Sequence, residues 1–268
     1  GELDAGRMPD GFFLGPSWDA VSTEHAIDDF VLHPERTPAS RERWDVALIF
    51  LSEPIDDIAP IPVSDADPVG ERVVIVGYGG TGTGLDADYW SDAAYDGLKR
   101  AAHNTVDGRD EETFGTGVLI VDFDAPDGST NSSDDVYGLD SLDSPLELEG
   151  CTGPGDSGGP MLMQVDGQWR VVGVASAGFN PLSQTQDDER AGQYGSIGEH
   201  ASLSLDETVD FLAQVGWAAD TDAGEEPGDT GEAGGEKAGG CMTAAASLGS
   251  WVLLLPALWA ALRSHLSG

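Results

Sequence analysis

The stretch Gly150-Cys-Thr-Gly-Pro-Gly-Asp-Ser-Gly-Gly-Pro160 places five glycines among eleven residues, with one serine, Ser157, among them. Glycine loses more backbone freedom on folding than any other residue. A cluster of them therefore implies dihedrals or close approaches that a Cβ would forbid. A loop that holds Ser157 against another backbone meets that description, and so does a plain surface turn. The flanking segments decide between them. Downstream, Met161-Leu-Met-Gln-Val165 and Trp169-Arg-Val-Val-Gly-Val-Ala175 are two apolar runs joined at Asp166-Gly167, a strong hairpin signal.

Upstream, short apolar runs alternate with turn residues. Phe12–Leu14 ends at Gly15-Pro16, Ala26–Leu32 at His33-Pro34, Trp44–Leu51 at Glu53-Pro54, and Arg72–Val76 in glycines. No helical period is sustained among them, and Gly115–Phe123 adds a further strand. Leu205, Val209, Leu212 and Val215 follow at helical spacing and predict one short amphipathic helix. The pattern is that of an all-β fold closed by a C-terminal helix. The loop Asp124–Asp135 is highly charged and without apolar anchors, which predicts an exposed insertion.

At 268 residues the chain is long enough for a sizeable core. Its 49 acidic against 12 basic residues give a net charge of −37. That balance argues against nucleic acid, or an anionic membrane surface met through a basic patch. Two cysteines, Cys151 and Cys241, stand in very different surroundings and do not make a disulfide framework.

Ser157 needs a base to become a nucleophile, and the base needs a carboxylate to hold its tautomer. Asp45 opens an apolar strand and is the carboxylate candidate. Six segments together resemble the trypsin-like (chymotrypsin-fold) serine proteases over about residues 12–215. They are GDSGGP at 155–160, WDVALIFLSEP at 44–54, HP at 33–34, VVIVGYG at 73–79, LKRAAHNTV at 98–106 and WRVVGVASAG at 169–178. The resemblance implies two six-stranded antiparallel β-barrels, the first incomplete here, and cleavage of polypeptide substrates by a monomer with no metal or organic cofactor. It implies Ser157 as nucleophile, Asp45 as the histidine's partner, and the N–H groups of Gly155 and Ser157 as the oxyanion hole. Ser176 and Gly178 would pair with substrate backbone. Asp156 could meet an N-terminal amine freed by zymogen cleavage. Aligning on Cys151 puts Glu149 at the floor of the specificity pocket, which would favour Arg or Lys there; aligning on Ser157 gives no acid. Ala177 stands where the family commonly has tryptophan.

The catalytic histidine of that family lies in a T-A-A-H-C segment well ahead of the aspartate, and none of the 44 positions before Asp45 contains one. His25 runs into a strand and His33 belongs to a His-Pro turn; His103 and His200 follow Asp45. The expectation is that the histidine, a leader peptide and the first strands lie upstream of Gly1, and that the fragment alone lacks its proton acceptor. Cys151 is then free or bonded upstream. An inactive homologue serving as a surface binding module is the rival reading. An α/β-hydrolase is disfavoured, because Gly155-Asp-Ser157-Gly-Gly159 leads into a strand and the acid precedes the serine. The acidic run from Asp122 to Asn131 departs from the calcium-loop spacing.

Residues 1–218 therefore read as the peptidase domain. Residues 219–240 lack any large apolar side chain and read as an acidic linker. Beyond it, Gly239-Gly-Cys241 leads to 19 uncharged residues, 244–262, enough at ~1.5 Å each to span a hydrocarbon layer of ~30 Å. Residues 241–268 resemble the C-terminal sorting signal of myxobacterial exported proteins, with Cys241 as the processing point. That implies an extracytoplasmic enzyme tethered at the cell surface.

Overall fold

The structure is a computed structural model that describes residues 11–17, 19–37, 43–85, 95–111, 117–142, 144–182 and 192–217, with the backbone of 251–253. Strands β1 (Phe12–Leu14) and β2 (Thr23–His25) form a two-stranded ribbon. Strands β3 (Ile27–Leu32), β4 (Ala47–Leu51) and β12 (Trp251–Leu253) form a three-stranded sheet in the order β12-β4-β3. The remaining strands are β5 (Arg72–Gly77), β6 (Arg100–Thr105), β7 (Gly108–Arg109), β8 (Val118–Asp122), β9 (Pro160–Val165), β10 (Gln168–Phe179) and β11 (Ile197–Ser202). They form one antiparallel sheet ordered β6-β5-β9-β10-β11-β8-β7.

That sheet closes on itself. Its two end strands, β6 and β7, are consecutive in the chain and separated only by Val106 and Asp107. The Val106 N–H bonds to Glu71 on one side, while the Asp107 N–H bonds to Ile120 on the other. Residues 100–109 are thus one bent stave shared by both ends, and the barrel has six staves. The hairpin read at Asp166-Gly167 joins β9 to β10, with φ of +52° and +75° at the two turn residues. Both values are ones that Asp and Gly tolerate best.

The interior is filled by Val73, Val106, Leu119, Val121, Met161, Met163 and Val172. The alternate residues of β8, Val118 and Ile120, face outward and pack with Ile197 against Tyr137, Leu139 and Phe179. With both faces covered, β8 reads as a continuous apolar run. A third cluster joins Val46 and Leu48 to Val174, Ala201 and Leu203, and to Phe211 and Leu212 of helix α2 (Asp206–Gln214). The N-cap of α2, Leu205, makes no side-chain bond, so packing rather than capping holds this helix. Burying a side chain such as Phe211 or Leu212 contributes about 1.5–3 kcal/mol. Of a first barrel, the described residues supply β1–β4 and β12 without closing a ring.

Two expectations need correction. The stretch 124–135 is exposed only in part, at Pro126–Ser129 and at Asp134 and Asp135. Asp124, Ala125, Ser132 and Ser133 are buried, and helix α1 (Ser132–Tyr137) starts within it. Short polar side chains anchor it instead of apolar ones: Asp122 accepts the Ser133 N–H at 2.8 Å and Asp107 accepts the Ser133 hydroxyl at 2.7 Å. The apolar tail lies outside the described residues except at Trp251–Leu253. There it pairs antiparallel with Leu48–Phe50 of β4 as a strand, rather than standing apart from the domain as a helix. Among the described residues no helix is long and apolar enough to cross a membrane.

Burial and the neighbouring Asp122 push the Asp107 carboxyl up to about 7, against about 4 in an unfolded chain. The folded state then binds more protons than the unfolded one between those values, so stability falls as pH rises through that window. The Asp107→Asn variant should keep the Ser133 contact and lose this dependence. Thermal melts from pH 5 to pH 8 should show the wild type losing a few degrees more than the variant, about 2–4 °C for each kcal/mol at this domain size.

Candidate active site

The glycines around Ser157 are required by contact and by dihedral angle. Gly155 and Gly158 have φ of +93° and +88°. A Cβ on Gly159 would lie 2.3 Å from the carbonyl oxygen of Val76, and one on Gly77 would fall 1.8 Å from Asp156 Oδ1. The serine loop and the end of β5 therefore interlock through bare backbone. Asp156 is the key of that lock. Its Oδ1 accepts the Gly79 N–H at 2.7 Å and its Oδ2 accepts the Gly153 N–H at 2.9 Å. Burial raises its pKa, and the two backbone donors oppose that rise. Neither oxygen is bonded to an N-terminal amine here; the partners are loop backbone.

Strand β10 joins this loop to the aspartate. Ala175 accepts the Gly158 N–H and donates to the Gly159 carbonyl, both at 2.9 Å. The next residue, Ser176, donates its hydroxyl to Asp45 Oδ2 at 2.8 Å. Two consecutive residues of one strand thus hold the serine loop and the buried carboxylate of Asp45, which is 3% exposed. Sequence reasoning placed Ser176 at the substrate edge and missed its bond to Asp45. It also missed Arg36, whose Nε approaches Asp45 Oδ1 at 3.2 Å. The Arg36 N–H bonds back to the His33 carbonyl, so the tight turn after His33 delivers that guanidinium. The only signal for it was the His-Pro-Glu-Arg turn itself.

The four histidines among the described residues fall in four separate places. His33 stacks on Trp44 with ring centroids 4.6 Å apart and touches Phe211 at 5.0 Å. Its Nδ1 accepts the Glu35 N–H at 3.2 Å, and its Nε2 lies 3.3 Å from the Glu207 carbonyl oxygen. Desolvation lowers its pKa. It is a packed ring that ties β3 to α2. His103 is on β6, with Nδ1 2.9 Å from the Glu147 carbonyl oxygen. His25 is on β2, opposite Phe12, and His200 is inside the second barrel, on β11. Neither His33 nor His103 is turned toward Ser157 by these bonds.

Glu149 does not present a bare carboxylate. Its oxygens accept the N–H groups of Asp124 at 2.8 Å and Leu146 at 2.6 Å, and burial raises its pKa. Gly178 pairs with Gly198 across β10 and β11, and a Cβ there would meet the Ile197 carbonyl at 2.8 Å. Cys151 is free. Burial, followed by Asp156, pushes its thiol up to about 12, which leaves it protonated and unreactive. Cys241 lies outside the described residues. A recess of about 250 Å³ opens beside the loop, lined by Gly79, Cys151, Thr152, Gly153 and Asp156 among others. No group of three His, Cys, Asp or Glu side chains able to hold a metal ion occurs among the described residues.

A six-stave antiparallel barrel, with a glycine-framed serine loop and a buried aspartate held by consecutive residues of one strand, fits the double-barrel peptidase class. The sequence profile of the family described as Trypsin-like peptidase domain matches residues 15–174. The chain belongs to that family. A search of curated proteins returned no match.

The two kinds of glycine separate in a simple comparison. Gly159→Ala has a backbone oxygen in its way and should cost more than about 3 kcal/mol. Gly167→Ala, with a φ of +75° and nothing within 4 Å, should cost about 1 kcal/mol. Urea unfolding of both variants measures the difference.

Proposed function

We propose that this protein is a serine endopeptidase. Its Ser157 hydroxyl attacks the carbonyl carbon of a peptide bond, and the hydroxyl proton passes to an imidazole oriented by Asp45. The oxyanion is met by the N–H groups of Gly155 and Ser157. The imidazole then returns its proton to the leaving amine, and water releases the acyl group by the reverse sequence. The chemistry is the general template for such triads, and an oxyanion donor of this type lowers the barrier by about 3–4 kcal/mol. The observation that carries the reading is the coupling of Ser157's loop and Asp45 through Ala175 and Ser176. The imidazole is assigned to polypeptide outside these 268 residues. No metal or organic cofactor takes part in this scheme. In this reading the tail beyond Cys241 serves export and is removed by processing at Cys241, which makes the enzyme extracytoplasmic.

A second reading has an observation of its own. Arg36 already neutralises Asp45, as suits a homologue that binds polypeptides without cleaving them. A fluorophosphonate probe distinguishes the two. In the full gene product, Ser157 should be labelled and casein hydrolysed, and both should fall by about 10³-fold or more in Ser157→Ala. Labelling that survives in Ser157→Ala removes the nucleophile, and an unlabelled, inactive full-length protein selects the binding module.

A further inference from the structure

The serine loop commits most of its backbone donors to itself and its neighbours. The N–H groups of Gly153 and Asp156 bond to Asp156 Oδ2 and the Gly153 carbonyl, and those of Gly158 and Gly159 to the carbonyls of Ala175 and Asp156. Pro154 has no N–H to place. Among the described residues, the N–H groups of Gly155 and Ser157 meet no acceptor. These are the two donors that the peptidase scheme uses.

What aims the Gly155 donor can be traced through its peptide unit. In a planar trans peptide the C=O and the N–H point to opposite sides of the chain. The Pro154 carbonyl accepts the Gly80 N–H at 2.9 Å, so the Gly155 N–H is turned away from Gly80. That bond holds one end of the peptide plane. The other end, Gly155 Cα, belongs to a residue without a Cβ and with wide backbone freedom.

Tyr95 meets that end. A Cβ built on Gly155, whose φ is +93°, would lie 3.1 Å from Gly79 Cα and 3.3 Å from Tyr95 Cε1. Ordinary carbon contacts fall at about 3.5–4.0 Å, so the space beside Gly155 Cα is closed by Gly79 on one side and a ring edge on the other. Burial, and then the Asp156 charge, raise the pKa of the phenol. The ring is therefore beside the acid of the loop as well as its glycine.

We propose that Tyr95 is a positioning residue for the oxyanion donor of Gly155: its ring edge and Gly79 hold the Gly155 Cα while Gly80 holds the Pro154 carbonyl. The proposal rests on the peptidase reading, and within it Tyr95 acts through Gly155 alone and moves no proton. A donor fixed before charge develops on the oxygen needs no reorganisation at the moment of reaction. The contact is made by ring carbon, so the role belongs to the ring and not to the hydroxyl.

The test uses the full-length protein and two readouts. The first is the second-order rate at which a fluorophosphonate labels Ser157, where the serine oxygen displaces fluoride and charge builds on an oxygen facing the same donors. The second is casein affinity in the Ser157→Ala background, a property of the ground state. Losing a donor outright costs about 10²–10³-fold, so loosening one should slow labelling and casein turnover by about 10- to 100-fold in Tyr95→Ala. Casein affinity should stay within about twofold. Tyr95→Phe keeps Cε1 and should restore labelling to within about threefold of the wild type. Tyr95→Leu is too short to reach Gly155; it should also slow labelling, and it serves should Tyr95→Ala fail to fold. Labelling at the wild-type rate in the alanine or leucine variant, a loss confined to casein affinity, or a phenylalanine variant as slow as the alanine one overturns this proposal alone. A wild-type protein that neither takes the probe nor cleaves casein overturns the peptidase reading with it.

Discussion

A carboxylate buried under two glycines of a neighbouring strand end holds this site together. Asp156 reaches out of the serine loop to the Gly79 N–H and back to its own loop at the Gly153 N–H. Taking that charge out of water is costly, and only donors already fixed by backbone offset the cost. Gly77 and Gly79 are bare because any Cβ there would overlap the Asp156 side chain. Two glycine-rich segments, far apart in sequence, are therefore one device. It fixes the backbone on either side of Ser157 before any substrate arrives.

The second barrel provides the rigidity this device needs. Its closure through the bent stave 100–109 leaves no open sheet edge along that stave, and its interior is packed by seven apolar side chains. Strand β10 runs from the hairpin at Asp166-Gly167 past the loop to Phe179. It carries Ala175 to the serine loop and Ser176 to Asp45, while β4 and α2 pack against its outer face through Val174. The first half of the domain meets the second at the point where the aspartate is held.

Much of this was legible in the chain. Alternating apolar runs, the Asp-Gly hairpin, the 205–215 helix period and the GDSGGP and WDVALIFL segments carry local information, because strand alternation and turn chemistry are decided by neighbours a few residues apart. The misreading of 124–135 shows the limit. A run of Asp, Ser and Asn without apolar residues looks solvent-exposed throughout, yet Asp107 and Asp122 anchor its buried Ser132–Ser133 end by hydrogen bonding to Ser133. That partnership needs β7 and β8 side by side. Glu149 likewise looked like a free carboxylate until its two backbone donors, from Asp124 and Leu146, were in view.

The sequence by itself determined the fold class, the serine that its glycines present, and the aspartate that opens an apolar strand, since each is written in contiguous residues. Only the tertiary structure decided what those groups touch: Arg36 and Ser176 on Asp45, and His33 shut between Trp44 and Phe211. The reason is physical. Burial, charge compensation and hydrogen-bond satisfaction belong to pairs of groups brought together by closure of the sheet, and no spacing along the chain encodes them.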